Sequence, residues 1–311
     1  MIVLVAGLIA VAVVLGWLAG PVLERFRRPA AGPGIAIACW VAALTGTFIA
    51  CTGVVAVALL SPPTPGHGLL GWLRSCLPHH RQSAIAIAAA ASLLLIAACC
   101  FRLVRGVPRL RRAMRHRRRH REVLRLVARE HGRHSDVLVL DHPVPVAYSV
   151  PARRRSIVVS TGTQEALTPQ EFGAVLAHER AHLRLRHHAL LLMLDLAHAL
   201  LPWLPTVRRA KARLPLLLEM AADDVAARAY GRRPLADALC RLAAAPRVTG
   251  ALGAAGSDRT ALAERLLRLE SPEAAKPHRV PLMVASIFVP CAVVVPLLVA
   301  TVAIVKLSTT C

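Results

Sequence analysis

The chain has 311 residues, 56% of them hydrophobic, with a mean hydropathy of +0.53 and a formal charge of +22. Such apolarity excludes an ordinary water-soluble domain and asks whether the apolar residues are spread out or gathered into runs. They are gathered, and the charge lies between the runs.

Residues 1–23 carry no charge and are long enough to cross a hydrocarbon core of roughly 30 Å as a helix. Residues 34–60 and 83–104 predict a second and a third span, and 280–305 a fourth. The first run has no positive residue before it and Arg25, Arg27 and Arg28 after it, the reverse of a secretory leader. The short basic loop after span one and the arginine-dense stretch after span three should face the cytoplasm. The expectation is a multi-pass cell-membrane protein with residues 105–279 cytoplasmic and both termini outside.

Residues 105–134 read as a basic juxtamembrane helix. The run from Arg111 to Arg121 invites a nucleic-acid reading, but it directly follows a span and no aromatic residue interleaves with it. An anchor on anionic membrane lipid explains it better, and no nucleic acid is expected as a partner. The eight cysteines offer no C-x-x-C spacing and predict no metal or disulfide framework.

Residues 135–279 form the predicted cytoplasmic domain. Val137–Leu140, Val146–Val150 and Ile157–Ser160 read as strands, the last two joined by a turn at 151–155. A helix then starts with Thr168 as cap, Pro169 in the first turn and Glu171 closing a capping box, and is expected to run through His188. Ala189–Leu201 predicts a buried or membrane-resting helix, ended by Pro202 and Pro205. Another is expected to start near Pro215 and stop by Gly231, followed by helical stretches at Arg233–Ala244 and Ala261–Leu269.

The capped helix carries His178-Glu179-Arg180-Ala181-His182. Histidines four apart lie one turn above each other on one face, where two imidazoles reach a single zinc ion at about 2.0–2.1 Å. Glu179 neighbours the first histidine and is placed to act as general base on the attacking water. A third ligand is expected from the acidic cluster Glu219, Asp223 and Asp224. Glu219 would bind the metal and Asp223, one turn on, would orient a ligand histidine. His187 and His188 are expected near the site or on the surface. Asp195 and His198 are either a second metal pair or a buried hydrogen bond. Tyr148, His198 and Arg213 are candidates to stabilise an oxyanion.

Ala177–His182, the Pro202–Pro205 segment and Leu218–Asp224 together resemble the BlaR/MecR-type membrane zinc metallopeptidases, the antirepressor sensors of β-lactam induction. The layout is more distantly similar to the HtpX and CAAX prenyl protease group. The resemblance covers about residues 135–280. It implies a mainly α membrane protein with four transmembrane helices and an α+β, gluzincin-like zinc peptidase domain between the third and fourth. It also implies zinc on His178, His182 and Glu219, with Glu179 as base and Asp223 as its supporting group. The BlaR-type sensors carry an external penicillin-binding domain after the last span, whereas this chain ends six residues past Val305, so β-lactam sensing is not implied.

The expected function is hydrolysis of peptide bonds in a cytoplasmic protein, either a transcriptional repressor or the protein itself. Substrate would pair with an edge strand at Ile157–Ser160. A homo-oligomer is also compatible. The alternative is a non-catalytic membrane scaffold that binds lipid or a partner through its arginine-rich segment.

Overall fold

A computed structural model describes residues 2–25, 32–60, 128–132, 134–151, 156–244, 259–271 and 279–309, with isolated residues between 101 and 122. Three helical stretches in it are long and apolar enough to cross a membrane: Ala6–Arg25, Pro33–Ala56 and Met283–Lys306. The expected third span at 83–104 and most of the basic helix at 105–134 lie outside the described residues. Residues Arg129–His131, assigned to the end of that helix from sequence, are strand instead.

The first span is built from α1 (Ile2–Val13), a π turn at Val14–Leu18 and α2 (Ala19–Arg25). It packs beside α3 (Pro33–Leu60) and the last helix of the chain, Arg279–Thr309, through small residues. Leu15, Ala19, Ala42, Ala43 and Ala292 form their buried core. Gly46 sets the closeness of that packing, since a Cβ there would lie 1.9 Å from the Ala292 carbonyl oxygen. Small residues that let backbones approach are the usual basis of helix association in lipid.

The other unit begins with a four-stranded sheet of β1 (Arg129–His131), β2 (His134–Leu140), β3 (Ala147–Val150) and β4 (Ser156–Ser160), in the order β1-β2-β4-β3. β3 and β4 form the expected hairpin, with Ala147 opposite Val159 and Val150 opposite Ser156. β2 pairs in parallel with β4, Val137 beside Ile157 and Leu140 beside Ser160. The strand Ile157–Ser160 is therefore internal, which corrects its expected place at the edge. β3 takes that place.

A short helix, α4 (Thr161–Ala166), is capped by the Ser160 side chain. α5 (Pro169–Arg184) follows, and both halves of the expected capping box form: Thr168 N–H donates to Glu171 Oε2 at 2.8 Å, and Glu171 N–H donates to Thr168 Oγ1. Leu176 and Leu183 on one face of α5 bury against Val137, Ile157 and Val159 of the sheet. α5 stops earlier than expected because Arg186 adopts the left-handed conformation (φ 54°, ψ 37°). A new helix, α6 (His187–Leu200), starts from that bend.

α7 (Pro205–Tyr230) begins ten residues before its expected start at Pro215. Pro215 lies inside it. Pro205 occupies the first turn, where a missing N–H costs nothing, and Ala210, Leu214 and Leu217 are held against Trp40 of α3. That packing carries the helix through the interior proline. α8 (Arg232–Ala244), α9 (Arg259–Glu270) and α10 (Arg279–Thr309) complete the described chain.

Candidate metal centre

α5 and α7 cross so that the motif histidines meet the acidic cluster. His178 and His182 are 6% and 7% exposed, and their Nε2 atoms lie 3.0 Å apart. Glu219 Oε2 is 3.4 Å from His178 Nε2, and Glu219 Oε1 is 3.5 Å from His182 Nε2. Zinc bonds of about 2.0–2.1 Å at tetrahedral angles place neighbouring ligand atoms about 3.3 Å apart. The three observed separations bracket that value. These residues are the group among the described residues whose donor atoms converge in this way, and two neutral imidazoles with one carboxylate are a donor set that suits zinc.

Each histidine is supported on its other nitrogen. Asp223 Oδ1 lies 3.0 Å from His178 Nδ1, somewhat off the N–H direction. His187 Nδ1 lies 2.8 Å from His182 Nδ1, and His187 is 2% exposed. For His182 to present Nε2 to a metal it must carry its proton on Nδ1 and donate it to a neutral His187. Burial, and then the neighbouring His182, lower the His187 pKa to about 4, so it is neutral and can accept. The bend at Arg186 turns His187 back towards the site, a position the sequence left open between site and surface.

Electrostatics favour a cation here. Burial alone would lower the His178 pKa, but hydrogen bonding to Asp223 and Glu219 raises it to about 10. Burial would raise Glu219, yet His178 and His182 hold it well below the ordinary carboxylate range. Asp223 is likewise kept low against burial by Arg265 and then His178. Arg265 comes from α9 and is 7% exposed. Its Nε and Nη2 both donate to Asp223 at 2.7 Å, and its Nη1 is 3.2 Å from Glu219 Oε2. Sequence reasoning missed Arg265 altogether. Glu219 and Asp223 both pair with Arg265 and Glu179 lies within its electrostatic reach, a carboxylate-rich pocket that suits a divalent cation.

Glu179 is 7% exposed and follows His178 on α5; among the described residues it has no hydrogen-bond or ion-pair partner. Its neighbour Arg180 faces the sheet and pairs with Asp136 at 2.7 and 2.8 Å, which fixes the rotation of α5 about its axis. Of the other candidates, Asp195 pairs with Lys211 across α6 and α7, and Arg213 pairs with Glu264 at 3.0 Å. His198 lies on α6 and Tyr148 on β3, where burial pushes its hydroxyl up to about 12. Asp195 and Arg213 thus pair outside the histidine–carboxylate cluster. His188 contacts Ser149 on β3 at 3.1 Å.

The fold and site thus combine helices long and apolar enough to cross a membrane with a buried His–His–Glu cluster suited to a metal. Residues 113–214, about a third of the chain, match the model of Peptidase family M48. The matched segment contains both motif histidines and Glu179 and stops short of Glu219. It supports a metallopeptidase, and it does not separate the BlaR-type group from the HtpX-like one. No curated protein and no solved structure matches the chain.

Proposed function

We propose that this protein is a membrane-bound, zinc-dependent endopeptidase. The observation that carries the reading is the set of separations among His178, His182 and Glu219, close to the edges of a zinc tetrahedron. Those three residues would hold the ion. Zinc, when bound, supplies a Lewis acid that polarises the scissile carbonyl and acidifies water.

The chain's own residues do the remaining work. Glu179 carries a carboxylate beside His178 in a mostly water-excluded cleft, where it removes a proton from the attacking water and returns it to the leaving amine. Asp223 and His187 fix the orientation and tautomer of the two imidazoles. Arg265 keeps Asp223 ionised and balances part of the negative charge. β3, the edge strand beside α5, offers backbone groups to an extended peptide, and strand addition there would lay the peptide across the cluster. A cytoplasmic protein, either a transcriptional repressor or this chain itself, is the proposed substrate.

The test is zinc content and cleavage of an unstructured protein such as casein by the purified full chain. Glu179→Gln should retain zinc and lose about a hundredfold or more in rate, the usual contribution of a positioned base. Glu219→Ala should lower zinc stoichiometry. A wild type that binds no zinc, or a Glu179→Gln variant that cleaves at the wild-type rate, refutes the proposal.

A further inference from the structure

β3 is the end strand of the sheet and pairs with β4 alone among the described residues. Which of its backbone groups face outward follows from that pairing. Ser160 N–H donates to the Val146 carbonyl at 2.9 Å, so Val146 turns its backbone towards β4. Residues of an antiparallel pair turn inward and outward alternately. With Tyr148 opposite Val158 and Val150 opposite Ser156, Ala147 and Ser149 therefore present N–H and C=O at the outer edge. The side chains alternate as well. Tyr148 packs with Val150 and Val158 on one face, whereas Ala147 packs with Ile157, Val159 and Leu176 on the face that α5 covers. Ser149 shares that second face and is 7% exposed.

A buried hydroxyl needs a partner, and this one finds it outside the sheet. Ser149 Oγ lies 3.1 Å from Nε2 of His188, in the first turn of α6. The residue before it, His187, turns the other way, with its Nδ1 2.8 Å from His182 Nδ1. Successive residues of a helix point about 100° apart, so one turn of α6 carries two different supports. The left-handed Arg186 aims both, because α6 takes its direction from that bend. The ring of His187 is 4.7 Å from that of His182, and the ring of His188 is 6.4 Å from it. His187 thus backs a metal-facing histidine, and His188 backs the strand beside it.

We infer that His188 is a positioning residue for substrate: through Ser149 it ties the outer edge of β3 to the same helical turn that supports His182. The inference rests on the endopeptidase reading and deepens it by naming what holds the substrate-binding edge in place. β3 has four residues and one neighbouring strand, the situation in which an edge frays. An extended peptide that adds to it uses the outward N–H and C=O of Ala147 and Ser149. If those groups are already fixed, binding does not have to order them, and affinity for an extended chain rises accordingly. The His188 imidazole touches the strand and not the reacting atoms, so its contribution is to binding that is shared by the bound substrate and the transition state. Such a contribution appears in KM and leaves kcat alone.

The test measures casein cleavage and zinc content with the purified full chain in detergent. His188→Ala should raise KM about five- to tenfold, the range one hydrogen bond supplies, with kcat and zinc content held to within about twofold. Ser149→Ala should raise KM by a similar factor, and the double variant no further, because both changes remove one contact. His188→Gln, whose amide can reach Ser149 in place of Nε2, should recover part of the loss, which a role in packing alone would not allow. Should His188→Ala not fold, Ser149→Ala gives the same reading with the ring left in place. A wild-type KM in both single variants overturns the inference, and so do losses that multiply in the double variant. A fall in kcat or in zinc content at unchanged KM overturns it too, since that would put His188 at the reacting atoms or in the metal cluster. A zinc-loaded wild type that cuts nothing overturns the endopeptidase reading instead. Hydrogen exchange at the inward amides of Tyr148 and Val150 then decides the tie by itself: exchange about tenfold faster in His188→Ala supports it, and unchanged exchange overturns it.

Discussion

Replacing Arg265 by methionine removes the arginine that pairs with Asp223 and Glu219 and keeps most of its packing volume. Two charge-assisted hydrogen bonds of 2.7 Å to Asp223 disappear, and Asp223, 1% exposed, is left with His178 alone. Breaking a buried pair from one side costs about 3–5 kcal/mol, because the remaining charge stays desolvated. Asp223→Asn leaves the arginine with Glu219 and the more distant Glu179, and should cost about 3 kcal/mol. The double variant removes both charges and should fall short of the summed losses by about 2–3 kcal/mol, the size expected for residues in direct contact. SDS titration of the detergent-solubilised protein with chelator present measures all four corners of this cycle without any contribution from bound metal. Strictly additive losses, or a loss below about 1 kcal/mol for Arg265→Met, would show that the pair does not hold α9 to the metal centre.

Four further outcomes follow from the same geometry. His187→Ala should weaken zinc binding about tenfold to a hundredfold in a chelator competition, and His187→Asn, which keeps an acceptor, should recover part of it. Thr206→Val keeps the shape of the side chain but leaves Gly20 N–H and the Leu15 carbonyl unpaired, for roughly 1–2 kcal/mol on SDS titration; a neutral result would put the hydroxyl outside the ladder. Arg186→Gly should stabilise by about 1 kcal/mol, read as a raised melting temperature, because glycine adopts a positive φ without steric cost. Asp136→Asn tests pH dependence. The Arg180 hydrogen bond lowers the Asp136 pKa, so its stabilisation is present above the ordinary carboxylate value and lost as pH falls through the lower folded one. The partly exposed pair is worth at most about 1 kcal/mol at neutral pH, and the two proteins should melt alike well below about pH 4.

The residues that converge as the candidate metal cluster were legible because helical spacing is a local property. His178 and His182 share a face wherever a helix forms, and the capping box at Thr168 announces that it forms there. Glu219 and Asp223 stood out because acidic residues are few, 17 against 39 lysines and arginines. The same imbalance hid Arg265, which lies 42 residues beyond Asp223 and looks like any other arginine of the chain. β1 was missed because Arg-Glu-His has no apolar alternation to read. The edge strand was misplaced for a topological reason: β2 reaches past the hairpin to pair with β4, and no local pattern records a parallel partner.

α7 shows how such an error bears on function. A proline at 215 is a reasonable place to start a helix when only the sequence is in hand, and that choice separates the arginine-rich residues 206–214 from the carboxylates beyond. In the structure they are one helix. Its first half closes the backbone of the first span through Thr206 and packs on Trp40, and its second half carries Glu219 and Asp223. Thirteen residues of one helix, about 20 Å, separate Thr206 from Glu219, so Glu219 is in fixed register with the long apolar helices. A cluster built that way cannot rotate independently of those helices. The placement of the cleft relative to those helices is then as much a property of this protein as the identity of the residues that line it.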